Sequence, residues 1–360
     1  MMIFISIVVF IAILAVLVIS HEFGHFIVAK KAGMKVDEFG FGFPPRIFGI
    51  RKGETVYSLN SIPLGGFVKI AGEDNSDHSD PRSFVNKSFW QRFSVLVAGI
   101  LMNFLLAAVL FSIGAAAGIP AAYSPGDSIP KHATLQSQGI TITAVQSGTP
   151  ADKSGIVEGD IIQNINGRSF ANASDVVSYL QTQLGKTVHL VLKHQNQIVS
   201  KDVLDRLNPP TGEGAVGIGV ADVGILKFKW YAAPIEGLKQ TSLTIEGTVL
   251  GLYALIRSGA GLSSLGGPVK IAQMTGQATA LGWIYVLQFA AYLSINLGIL
   301  NAIPFPALDG GRVLFLIIEK IRRKRNNPDI EGWVNTVGFF LLLGLILIIS
   351  AHDINSLIHK

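Results

Sequence analysis

His21, Glu22 and His25 stand in the order His-Glu-Phe-Gly-His, the HExxH pattern. On a helix, positions i and i+4 share one face, so both imidazoles can reach a single metal ion with the Glu22 carboxylate beside them. In this pattern the histidines ligate zinc and the glutamate serves as general base in peptide hydrolysis. The chain contains no cysteine, so disulfides and thiolate ligands are excluded and a further protein ligand must be His, Asp or Glu. The motif directly follows Met1–Ser20, where no side chain is charged. An apolar run of about 20 residues spans a bilayer. Ionisable groups at membrane depth are costly and mark function by default. The chemistry to expect is zinc-assisted hydrolysis at a membrane boundary or within the membrane.

The composition agrees with a membrane setting. Hydrophobic residues make up 49% of the 360 positions and charged residues only 15%, against about 25% in soluble domains. No Lys or Arg precedes Lys30, so Met1–Ser20 lacks the basic start of a signal peptide and reads as a retained span. The net charge of +5 does not point to nucleic acid, because the basic residues gather in loops beside apolar segments.

Four uncharged stretches position the motif: Met1–Ser20, about Phe93–Ile119, Gly282–Leu308, and about Trp333–Ser350. Nine basic residues from Lys30 to Lys87 lie between the first two, and Lys320, Arg322, Arg323, Lys324 and Arg325 lie between the last two. The positive-inside rule puts both loops in the cytosol, and both termini and the 120–280 region outside. The carboxyl ends of spans one and three then share the cytosolic leaflet. Span three ends Asn301-Ala302-Ile303-Pro304-Phe305-Pro306-Ala307-Leu308-Asp309-Gly310-Gly311. Two prolines so close cannot continue a helix, and broken backbone at this depth is tolerated where it lines a cavity. Asp309 is the first charge after this run and supplies the missing third ligand type; it is also a good helix N-cap, and the two roles are compatible.

Within the 31–90 loop, Gly40–Asp74 reads as β structure, with Thr55–Leu59 and Gly66–Ile70 as short strands among Gly and Pro. A short sheet with an open edge can accept an extended peptide as an extra strand, with Gly66, Phe67 and Val68 as candidate substrate-binding residues; a hairpin that only packs on the helices is the alternative. Asp74–Pro81 is a polar loop. Between Gly139 and Asp205 the pattern is that of a soluble domain: strands at Ile140–Val145, Ile161–Ile165 and Thr187–Lys193, a short helix at Pro150–Ser154 and an amphipathic helix at Ala173–Leu184. Ala232–Leu281 is apolar and glycine-rich, and either lies along the membrane surface or dips into it. Asn103 reads as a helix–helix contact. His352, Asp353 and His359 fall on the far side from the histidine pair and read as chance clustering.

Together these residues resemble the bacterial site-2 protease family of intramembrane zinc metalloproteases, over nearly the whole chain. His21–His25 is similar to that family's first-span HExxH. Asn301, Pro304, Pro306, Leu308, Asp309 and Gly310 reproduce its Asn-x-x-Pro-x-Pro-x-Leu-Asp-Gly pattern, and Gly266-Gly267-Pro268-Val269 resembles a further element before span three. Val145–Gly167, with Gly148-Thr149-Pro150-Ala151 and Glu158-Gly159-Asp160-Ile161-Ile162, is similar to PDZ domains. There is space for one PDZ unit, where some relatives carry two.

The fold class expected is an α-helical polytopic membrane protein. It has about four transmembrane helices, an inserted β-rich membrane-proximal loop, and one extracytoplasmic PDZ-like α+β domain. The divisions are 1–30, first helix with HExxH; 31–90, cytosolic β loop; 91–119, second helix; 120–206, PDZ-like domain; 207–281, connecting segment; 282–319, third segment; 320–332, basic loop; and 333–360, fourth helix and tail. The expected site is Zn2+ on His21, His25 and Asp309, with Glu22 as base. The resemblance implies a substrate-facing role for Asn301, and as substrates single-span membrane proteins such as anti-sigma factors, with remnant signal peptides as a second class. The setting is the bacterial plasma membrane, with the lipid bilayer as a partner. The PDZ-like domain either binds a peptide carboxyl terminus, through amides near Gly139–Ile142, or acts as a steric gate. A membrane-anchored PDZ scaffold with a non-catalytic metal site is the rival, disfavoured by an intact Glu22. A metal transporter would spread ionisable groups along several spans, and these spans have none at their middles.

Overall fold

The computed structural model describes residues 2–73, 79–124, 126–194, 197–210, 214–258 and 266–358. Most of the polar loop Asp74–Pro81, as well as Ser263–Leu265 and His359, lies outside the described residues. The chain divides into two compact units, one formed by Met1–Ile113 with Pro234–Lys360 and the other by Gly114–Ala233.

Four helices of the first unit are long and apolar enough to cross a membrane: α1 (Met2–Lys31), α2 (Phe89–Ala117), α7 (Trp283–Ala302) and α9 (Pro328–Ile358). Each contains a long stretch of high hydropathy with few charged side chains, as a span between protein and lipid requires. α7 stops at Ala302, where Ile303 turns extended ahead of Pro304. After the elbow Ile303–Leu308 the chain resumes as α8 (Asp309–Arg322). The two prolines therefore end span three earlier than its uncharged composition suggests. Between the second and third spans run α5 (Ala233–Ser258) and α6 (Pro268–Leu281). Gly237 of α5 lies against Ala108 and Ser112 of α2, and Gly276 of α6 lies beside Ser6 of α1. Asp353, buried near the end of α9, accepts hydrogen bonds from the backbone N–H groups of Gly267 (3.0 Å) and Lys270 (3.1 Å). It thus caps the start of α6 from another helix, a structural role the sequence did not signal.

The loop between α1 and α2 folds as β1 (Val36–Lys52) and β2 (Thr55–Ile70). The first half of β1 lies between two parts of β2, with Phe39 opposite both Tyr57 and Val68, and Gly40 opposite both Ser58 and Phe67. The second half of β1 pairs with Thr55–Asn60 around the turn at Gly53. The two short strands read from the sequence are thus parts of one bent strand. Gly66–Lys69 pairs on one side only, and no described strand occupies its other edge. Phe26 of α1 meets Phe39 (5.2 Å between ring centroids) and Tyr57 (6.0 Å), which anchors the sheet to the helix.

The second unit is a six-stranded sheet in the order β3-β8-β4-β5-β6-β7. Its strands are β3 (Ile119–Tyr123), β4 (Ala133–Val145), β5 (Ile161–Ile165), β6 (Thr187–His194), β7 (Gln197–Leu204) and β8 (Ile218–Phe228). Two helices, α3 (Pro150–Lys153) and α4 (Ala173–Gln181), complete it. Ile142, Ile165, Val176, Val188, Leu190 and Leu192 form its core, each with no exposed surface. Alternation along the strands sends these residues to one side of the sheet. Gly139–Ile142 cannot take an added peptide strand, because β4 pairs with β8 along one edge and β5 along the other. Ile218–Ala221 of β8 lies beyond the stretch covered by β3, and among the described residues no strand pairs along that edge.

Candidate metal centre

The i, i+4 spacing on α1 puts His21 and His25 edge to face, with ring centroids 4.8 Å apart. Both are buried among α1, α2 and α8, at 8% and 9% exposure. α1 and α2 can come this close because side chains are missing at the crossing. A Cβ on Gly24 would stand 2.8 Å from the Ala98 carbonyl carbon, and one on Gly99 would stand 2.7 Å from His21 Cε1 and His25 Cε1. Asp309 arrives from α8. The residue before the elbow's last position, Ala307, has φ of +71°, and its N–H donates to Asn335 Oδ1 of α9 at 3.1 Å. Gly310 lets the first turn of α8 fold back on α7, since a Cβ there would lie 2.5 Å from the Ala302 carbonyl oxygen.

Three donor atoms converge. His21 Nε2 lies 3.0 Å and His25 Nε2 3.2 Å from Asp309 Oδ2, and the two Nε2 atoms are 3.3 Å apart. Ligands about 2.0–2.1 Å from one tetrahedral zinc stand roughly 3.3 Å from each other. The triangle is therefore the size of one face of a zinc tetrahedron, so His21, His25 and Asp309 would fit one zinc ion.

The outer ring nitrogens select the same chemistry. His25 Nδ1 donates to the Val95 carbonyl oxygen at 2.8 Å, which leaves Nε2 as a bare lone pair. A lone pair facing a carboxylate oxygen is repulsive without a cation between them, and Asp309 Oδ2 is buried with no hydrogen-bond partner. His21 Nδ1 lies 3.1 Å from the side-chain amide of Asn103, which is fully buried on α2. Asn103 Oδ1 has no partner in the orientation shown. Turned by 180°, the same amide accepts Nδ1–H and leaves His21 Nε2 as a second lone pair. Ser294 of α7 donates to the Asn103 carbonyl oxygen at 2.7 Å and ties the third span to this helix. Sequence reasoning placed Asn103 at a helix contact and missed its second partner; the only signal was an amide inside an apolar span.

Glu22 makes no hydrogen bond or ion pair among the described residues, so its carboxylate is free beside the donors. Gly66 of the edge strand packs against it: a Cβ there would sit 3.2 Å from Glu22 Cγ. Val68 joins the core formed with Ala29, Met34 and Val36, while Phe67 crosses over Gly40. A cleft of about 500 Å3 runs beside this strand, lined by Phe67 through Glu73 with Lys35, Asp37 and Arg312. Asn301 is half-buried in the last turn of α7, and its side chain makes no hydrogen bond among the described residues. Histidines, Asp309, Glu22 and the Gly66 strand are thus brought together, whereas among the described residues no hydrogen bond or ion pair joins Asn301 to them.

Comparison with known proteins gives the same answer. The sequence profile of peptidase family M50 matches residues 9–345. A candidate zinc metalloprotease of Clostridium acetobutylicum is 35% identical over 355 residues, covering 98% of both chains. The zinc metalloprotease RasP of Bacillus licheniformis is 30% identical, covering 98% of this chain and 99% of its own. The regulator of sigma-W protease RasP of Bacillus subtilis is 29% identical, with the same coverage. Among solved structures, the PDZ domain of an SdrC-like protein from Listeria monocytogenes is similar at 23% identity, covering 24% of this chain and 92% of that one, with a TM-score of 0.22. Matched almost from end to end, this chain belongs to peptidase family M50, the site-2 zinc metalloproteases.

Proposed function

We propose that the protein hydrolyses a peptide bond in or near the transmembrane segment of single-span membrane proteins, with His21, His25 and Asp309 holding zinc and Glu22 as general base. The observation that carries this reading is the triangle of donor atoms with a free carboxylate at its side. Bound there, zinc supplies Lewis acidity, lowering the pKa of water toward about 7 and polarising the scissile carbonyl. Glu22 takes the proton of the attacking water and delivers it to the leaving amine. A helical substrate hides its peptide bonds and must first become extended. The unpaired edge at Gly66, Phe67 and Val68, in contact with Glu22, supports strand addition as the step that holds it so. Asn301 is assigned a substrate-facing role on the strength of its place in the family motif.

The setting is a multi-pass bacterial membrane, with both termini and the inserted domain outside and the zinc near the cytosolic leaflet. The distribution of basic residues supports this orientation. Anti-sigma factors are the substrate class favoured, by analogy with the relative named for sigma-W regulation. The inserted domain acts as a steric gate that passes shortened substrates; a peptide ligand would instead take the free edge at Ile218–Ala221.

The test is cleavage of a model single-span substrate by the reconstituted protein and its Glu22→Gln variant, with zinc assayed in both. Activity in the parent, abolished in the variant with zinc still bound, is the expected result. Undiminished cleavage by Glu22→Gln would remove the base assignment, and a parent with neither zinc nor cleavage would remove the peptidase reading.

A further inference from the structure

Glu73 lies three residues beyond the end of the edge strand, on a stiff base. Its N–H donates to Ile70 O (3.2 Å), and Ala71 is held on both sides, by Lys35 O (2.9 Å) and Phe84 N–H (2.8 Å). Its carboxylate pairs with Arg312, 239 residues away in sequence and one turn along α8 from Asp309. Among the described residues this is the only ion pair or hydrogen bond that joins the end of the β2 strand to α8. The pair also forms part of the wall of two cavities. One is the cleft of about 500 Å3 beside Phe67–Gly72. The other, about 240 Å3, is lined by Arg92, Glu319, Glu331 and Asn335. Arg312 is within electrostatic reach of Asp309 and Glu22.

The metal donors do not depend on this contact. His25 is oriented by Val95 and His21 by Asn103, and Asp309 is placed by the packing of Gly310 on α7. The strand end packs apolarly through Val68 and Ile70 against Ala29 and Leu316, but such contacts do not fix it along the helix direction, and Glu73–Arg312 is the one polar contact among the described residues that ties it to α8. We propose that Glu73 and Arg312 form a positioning clamp, fixing the substrate-accepting edge at its working distance from the metal donors, so that the pair is required for turnover and dispensable for zinc. This rests on the peptidase reading above. Neither residue touches the reacting atoms; both act through the strand. A substrate strand set about 1 Å out of place is enough to cost up to about 100-fold in rate.

The experiment compares reconstituted parent, Glu73→Gln, Arg312→Gln, the double variant and Arg312→Lys, reading kcat, KM, zinc content and hydrogen exchange at the Val68–Ala71 amides. Each Gln variant should lose about 10-fold or more in kcat, with parental zinc and faster exchange. The double variant should be no worse than either single one, since one contact can be lost only once. Arg312→Lys, which keeps the charge, should recover most of the rate. Losses that multiply in the double variant would overturn the clamp, as would zinc lost together with activity. A parent that cleaves nothing counts against the peptidase reading alone. The exchange rates then still decide on the clamp, and unchanged exchange in Arg312→Gln overturns it.

Discussion

Around the histidine pair the helices meet where side chains are missing, whereas the inserted domain is held by side chains that fill space. Gly24 and Gly99 bring α1 onto α2, and Gly310 brings α8 back onto α7, each with no room for a methyl group. In the second unit, Ile142, Ile165, Leu190 and Leu192 fill the interior with no exposed surface. The difference follows from solvent. A water-exposed domain gains stability by burying apolar area, at about 25 cal/mol per Å2. Helices in lipid gain little that way and associate through close backbone approach and buried polar contacts such as Ser294 to Asn103. One region should therefore fail when atoms are added, and the other when they are removed.

The largest effect should come from the smallest addition. Gly99→Ala places a methyl against both imidazoles, and zinc affinity should fall by more than about 100-fold, read by metal content after dialysis against a chelator. Parental zinc retention in that variant would break the comparison. Removing atoms from the other region should act elsewhere: Leu190→Ala should destabilise the inserted domain by about 2–5 kcal/mol, measured by thermal unfolding, and leave zinc content unchanged.

A smaller, pH-dependent effect sharpens the contrast in how buried polar groups are treated. Asp205 of the inserted domain is 1% exposed, and neither of its carboxylate oxygens has a hydrogen-bond partner of good geometry among the described residues. Burial pushes its carboxyl pKa above the ordinary value of 3.8. The folded state then holds this proton at pH values where the unfolded chain has released it. Stability from this group is therefore present at low pH and lost as pH rises from about 3.8 through the folded value. Asp205→Asn should raise the domain's melting temperature by a few degrees at neutral pH, with the gain shrinking on acidification. A gain that does not change with pH would assign the effect to packing.

The donors were legible in the sequence because each half of the site is local. His21 to His25 is one turn of helix, and the Pro-x-Pro elbow writes its helix break into the residues before Asp309. What supports the donors was not legible. Nothing near Gly99 or Asn103 marks them as neighbours of a histidine pair some eighty positions earlier. Their roles follow from the packing of α1 on α2, and an isolated polar or small residue in an apolar run is compatible with many packings. Strand alternation located three of the inserted domain's six strands, β4, β5 and β6, and missed β3, β7 and β8. Which strand is central depends on long-range pairing, so Gly139–Ile142 looked open when it is enclosed on both edges. Ala232–Leu281, left undecided between lying on the membrane and dipping into it, is helical over Ala233–Ser258 and Pro268–Leu281; Gly237 and Gly276 sit at helix contacts, whereas Gly247 and Gly251 face open space.

The Asp353 cap has a practical consequence for anyone shortening or tagging the protein. Its carboxylate grips the start of α6, and α6 in turn lies along the helix that opens the chain. Head and tail are thus linked through one intermediary, like a strap fastened by a single buckle. Residues added after Lys360 leave that buckle closed. A cut made before Asp353 opens it, removing the cap of α6 while His21, Glu22, His25 and Asp309 all stay in the chain.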